Sequence, residues 1–178
     1  MERINNILVI LKLIESLKRH GSWCGETHVQ KAIFSLQELK GIPLEFQFVL
    51  YKHGPFSFDL RDELTAMRAD GLISFKIVNE SYGPQLVISD RGEEIKRKFS
   101  RILNKYDNSI EFIGKNLGDK GVVELERIAT ALYVTREMRI TDKDSRIEKI
   151  VALKPHIQSI QAKNAVEEID ALIREANT

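Results

Sequence analysis

Cysteine is nearly absent from this chain of 178 residues: Cys24 stands alone. A lone thiol excludes an internal disulfide and fits a reducing cytosol. A dominant charge is also lacking. The formal net charge is +1, from 27 basic and 26 acidic side chains, so no global field draws the chain to nucleic acid, membrane or acidic ligands. Residues 1–105 carry a slight basic excess and residues 106–178 a slight acidic one. Long apolar runs are missing too. Residues 7–11 are apolar, but Lys12 interrupts them, and Leu13, Ile14 and Leu17 continue at helical spacing. That is the pattern of a core helix rather than of a signal peptide or a membrane span. There is no internal repeat, Gly-rich phosphate loop, Ser/His/Asp ordering or paired-carboxylate motif. The rest is 43% hydrophobic and 30% charged, an ordinary globular composition. The expectation is a cytoplasmic protein with no catalytic residue, no cofactor and no membrane contact.

Residues 57–99 are the most informative passage. Leu60, Leu64, Met67 and Gly71 recur at i, i+4, i+7 and i+11, one narrow stripe of a helix. Gly71 stands where a helix end needs a left-handed residue. Ile73, Phe75 and Ile77 then alternate with Ser74 and Lys76, the period of a half-buried strand. Residues 79–84 are turn formers, Leu86 and Ile88 make a return strand, and Ser89 or Asp90 caps an exit helix. A helix, a two-stranded wing and an exit helix in that order predict a winged helix-turn-helix.

Upstream, the spacing predicts a first helix over residues 3–19, with Ile4, Leu8, Leu11 and Ile14 on one side. A second helix opens at Thr27, with Thr27 and Gln30 at capping-box spacing and Val29, Ile33 and Leu36 inward. Residues 45–51 read as a strand able to extend the edge of the wing sheet. Residues 52–55 read as a turn into the third helix, with Phe56 packed inward. A boundary near residues 104–108 divides a winged-helix-like domain, 1–105, from a helical C-terminal extension, 106–178. In the extension, helices end at Gly118 and run over about residues 122–138. Another opens with Ser145 and Glu148 at capping-box spacing and stops before Pro155. The last covers about residues 159–175, with Ala162, Val166, Ile169 and Ile173 on one face. The fold class is therefore mainly α with a small antiparallel β wing.

Two segments carry a resemblance. THVQKAIFSLQ is similar to the "LQK" helix of the YwgA-like, phage-associated family. LYKHGPFSFDLRDELTAMRADGLI resembles that family's "YGP(Y/F)S" segment and the leucine-spaced helix after it. SocA-like antitoxins, also called Panacea domains, share the pattern more distantly. Lys52 and His53 depart from it, standing between Tyr51 and Gly54-Pro55. The resemblance spans roughly residues 23–105. It implies a prokaryotic, phage-associated, winged-helix-like protein with an antitoxin-like regulatory role, and it carries over no catalytic residue.

The third helix is the element that would read DNA, yet its outward face holds Phe58, Asp62, Thr65, Ala66 and Ala69. Arg61 and Arg68 lie on one flank, Glu63 and Asp70 on the other. Asp62 would point at a polyanion, and Glu80 at the wing tip has no basic neighbour, so duplex binding by this face is expected to be weak. The small, partly apolar face suits close approach of another helix. It predicts contact with a protein partner, with a second copy of the chain, or with the chain's own C-terminal helices. The alternative is a DNA-binding regulator using Arg97, Arg101 and Lys105, spaced as one stripe of the exit helix, with Lys98 beside them and Arg61 and Arg68 assisting. Lys96 belongs to the same basic stretch. His20, Cys24 and His28 recur every four residues, as zinc ligands on a helix would, but Gly21 and Gly25 break it. A buried Trp23-Cys24 corner is the simpler account, and no metal site is expected.

Overall fold

The computed structural model describes residues 2–79 and 83–177. The chain is mainly helical, with two small two-stranded antiparallel sheets. Helix α1 (Arg3–Arg19) and helix α2 (Glu26–Lys40) form the centre. In α1 the run Ile7, Leu8, Val9, Ile10, Leu11 is buried all round, not on the one side expected. A helix apolar on every side needs neighbours on every side. These are α2, α6 (Asp107–Leu117) and α4 (Asp90–Lys98) with its flanking strand β4 (Gln85–Ile88). On α2, Val29, Ile33 and Leu36 are fully buried. The expected capping box does not form. Gly25 is the N-cap, and Gln30 points into the interior, because its amide has a partner there worth more than a helix end.

Residues 45–51 do not extend the wing. Only Val49–Tyr51 (β1) is a strand, and it pairs with Gly54–Phe56 (β2) in a tight hairpin of its own, Tyr51 opposite Gly54. Gly54 has φ +88. The left-handed backbone of the turn favours glycine, and a Cβ there would sit in ordinary contact with Lys31 Cε and Thr130 Oγ1 at 3.4 Å. Helix α3 (Phe58–Ala69) follows, capped by Ser57 Oγ, which accepts from Leu60 N. Its stripe Leu60, Leu64 and Met67 is buried as expected. Gly71 is left-handed at φ +70, and Leu72 N donates to Met67 O, the six-to-one bond that closes a helix C-terminus.

Strand β3 (Ile73–Lys76) pairs with β4 in the register Ile73↔Ile88. It is shorter than the alternation implies. Ile73 is buried, but Phe75 is 38% and Ile77 75% exposed, because the strand runs past the edge of the core. Of the turn expected over residues 79–84, residues 80–82, the wing-tip Glu80 among them, lie outside the described residues. Ser89 caps α4. The exit helix then breaks at Phe99 into α5 (Ser100–Leu103) and a 3-10 turn (Asn104–Tyr106) before α6.

Helix α7 (Val122–Arg136) lies on α2 and β2, and α9 (Ser159–Ala176) lies on α7 and α8 (Lys143–Leu153). Asp142 caps α8, its side chain accepting from Ser145 N, in place of the Ser145–Glu148 box. One hydrophobic core runs from Ile7 to Leu172, across residues 104–108. Close approach of α1 and α6 depends on Gly114, where a Cβ would overlap Ser16 Oγ.

Candidate functional site

The start of α3 is held from below. Gln30 Nε2 donates to Ser57 O and Gln30 Oε1 accepts from Ser57 N, both at 2.9 Å. Next to it, Lys31 Nζ donates to Pro55 O at 2.9 Å. The Gln-Lys pair of the second helix and the Gly-Pro segment thus meet in space. Burial pushes the Lys31 ammonium down to about 8. The opposing charge is Glu126 on α7, itself buried. Lys154, at the end of α8, lies 3.3 Å from Glu126 Oε1 and donates to Tyr51 O and, at 2.7 Å, to Lys52 O. The exposed His53 and His156 approach the same carboxylate at 3.9 and 3.2 Å. Buried cations with hydrogen bonds and a counter-ion are tolerated where unpaired ones are not. Their effect here is to clamp the β1–β2 hairpin onto α2, α7 and α8.

The clamped hairpin displays aromatic rings. Tyr51 is 57% and Phe58 46% exposed. Phe56, expected to pack inward, is half-buried between them, 5.7 Å from Tyr51 and 5.1 Å from Phe58. Such tilted and edge-on contacts keep the rings in place. The Arg61 guanidinium lies over Phe58 at 5.2 Å and bonds Asp62 at 2.9 Å. At the far end of α3, Arg68 lies over Phe75 of β3 at 3.8 Å. Between the two ends, Thr65 and Ala69 are exposed and Ala66 half-buried. The structure therefore brings Phe58, Asp62, Thr65, Ala66 and Ala69 onto one surface, and the C-terminal helices do not cover it. The face runs the length of the 12-residue helix, about 18 Å, with an aromatic-guanidinium contact at each end and small side chains between. The hairpin half of it was missed in the sequence, although three aromatics within eight residues of a Gly-Pro turn were a usable signal.

The acidic flank is occupied. Arg3 Nε donates to both Glu63 carboxylate oxygens at 3.1 Å and Arg3 Nη2 donates to Asp70 at 3.1 Å. Glu63 and Asp70 are therefore paired within the chain, which weakens the repulsion of phosphate read from the sequence. The exit segment is also corrected. Arg97, Lys98, Arg101 and Lys105 are exposed, but the break at Phe99 prevents one continuous helical stripe. Lys96 leaves the basic stretch altogether: it is buried between Glu15 at 3.0 Å and Glu93 at 3.1 Å.

The His20, Cys24, His28 series is dispersed. His20 pairs with Glu111 at 2.7 Å. Cys24 is fully buried and its thiol is pushed up to about 12 by that burial. His28 is held below the usual histidine range by its burial. Trp23 is half-buried, not a core residue. It walls a cleft of about 480 Å³ with His28, Phe75, Pro84 and Lys120. Among the described residues no three His, Cys, Asp or Glu side chains are grouped as a metal would need, and no helix is long and apolar enough to cross a membrane.

No protein-family model matches the chain, and no curated protein matches it.

Proposed function

We propose that this is a non-enzymatic regulatory module of winged-helix type, working in the cytoplasm, that holds a protein partner on the outer face of α3 and the β1–β2 hairpin. The order α3, β3, β4, α4 supports the winged-helix reading; kinship to the YwgA-like and SocA-like families rests on the resemblance of the two sequence segments. The observation that carries the function is the surface itself. Seated aromatics and stacked arginines, the residue types enriched at protein interfaces, flank a patch of small side chains that leaves room for close approach. A second copy of the chain is the alternative occupant. The test is Ala69→Arg in the full chain. Capture by the wild type of a partner that the folded variant loses supports the reading. Equal capture by both defeats it.

The second reading is DNA binding through Arg97, Lys98, Arg101 and Lys105, favoured by the exposure of all four. It expects duplex binding with a steep salt dependence that falls on Arg101→Glu. Tight, sequence-specific binding abolished by Arg61→Glu and untouched by Arg101→Glu would instead make α3 the reader.

A further inference from the structure

The wing sheet has one sealed edge and one open edge. Beyond β4, Leu86 N donates to Cys24 O at 2.9 Å and Gln85 bridges Gly25. Beyond β3 nothing pairs: among the described residues no backbone group of Ile73–Lys76 bonds outside the hairpin. An open edge is a template for another strand, and proteins usually blunt it. Here Lys76 is the one charged side chain in the strand. Ile77 and Val78, just past it, are 75% and 54% exposed.

A groove of about 480 Å³ runs beside this edge, between Thr65, Arg68 and Ala69 of α3 and Ile73, Ser74 and Phe75. The small residues of α3 make it. A strand laid along β3 would place alternate side chains in it, the arrangement by which added strands gain specificity while main-chain bonds supply affinity. The one charged side chain lining the groove is Arg68, exposed and stacked on Phe75; Lys76 is exposed at the end of the strand, and Asp70, at the end of α3, is bonded to Arg3. A second β3 would bring no carboxylate to Arg68 or Lys76.

We propose that β3 accepts an extended, acid-bearing segment of a partner protein as a third strand of the wing sheet, its alternate side chains lying between β3 and α3. This rests on the docking reading above and specifies how the partner binds. The full chain is titrated with a fluorescein-labelled peptide of alternating valine and glutamate, its lysine counterpart, and the glutamate peptide N-methylated at every second residue. The expected result is saturable binding of the glutamate peptide, at least about tenfold weaker for the other two, with the alternate amides of Ile73–Lys76 that face the open edge protected from exchange. Arg68→Glu, a surface change, should reverse the preference between glutamate and lysine peptides. Full retention of binding by the N-methylated peptide, protection confined to other residues, or no binding at about 1 mM overturns strand addition. Self-association with protection of the same amides overturns the acidic partner in favour of a second copy. Loss of a captured partner on Ala69→Arg, with no main-chain dependence in the peptides, leaves docking standing and strand addition refuted.

Discussion

Lys31 shows how a single residue ties sequence motif to fold. Its side chain is 2% exposed and bonded to Pro55 O, and burial takes its ammonium to about 8, against about 10.4 in the unfolded chain. Between those values the unfolded chain holds a proton that the folded chain has released. This group's contribution to stability therefore rises as pH increases from about 8 to about 10.4, by up to roughly 3 kcal/mol. The difference in unfolding free energy between wild type and Lys31→Met, measured by urea melts across that window, should move toward the wild type by that amount. A flat difference would mean the ammonium is not desolvated. Comparing the two proteins removes the buried Cys24, whose raised value acts in the opposite direction at higher pH. Leu64 is a simpler case. It is 3% exposed in the α3 stripe, so Leu64→Ala should cost about 2–5 kcal/mol, read in the same melts.

At the scale of elements, the β1–β2 hairpin is too short to stand alone. Three residue pairs of an isolated hairpin are marginal in water, so its geometry is imposed by side chains from α2 and α8. Lys154→Ala removes the donor to Tyr51 O and Lys52 O and leaves Glu126 with less compensation. It should destabilise the fold by on the order of 3 kcal/mol. It should also speed amide exchange in Val49–Tyr51 well beyond that in β3. Uniform acceleration of both hairpins would show that the clamp is not local. The α3 surface behaves differently. Ala69 is exposed, so Ala69→Arg should shift stability by no more than about 0.5 kcal/mol, and a large loss in thermal melting would show a contact that the free chain conceals.

At the scale of the molecule, the C-terminal helices are part of the core rather than an appendage. Ile110, Ile113 and Leu117 of α6 and Leu125, Ile128 and Leu132 of α7 are each at most 2% exposed. They cover the sides of α1 and α2 that would otherwise face water. Residues 1–105 expressed alone should therefore lack a cooperative thermal transition and dispersed amide resonances. A folded fragment would show that residues 1–105 form a domain of their own. The same dependence applies to Gly114, where Gly114→Ala should cost about 1–3 kcal/mol through forced separation of α1 and α6.

Local patterns alone determined much of this protein. The α3 stripe, the left-handed Gly71, the hairpin after it and the Ser89 cap were legible because each depends on neighbours within a few residues. So were the residues that share the outer face of α3, since helical geometry places them there whatever surrounds them. Only the tertiary structure decided the rest. Gln30 has the spacing of a cap, yet a buried partner at Ser57 outcompetes it. Lys96 reads as part of a basic face, yet Glu15 on α1 draws it inward. Ile77 keeps the period of a buried strand beyond the point where there is a core to bury it. Each of these outcomes turns on a partner distant in sequence or on where the core ends, and periodicity along the chain carries no information about either.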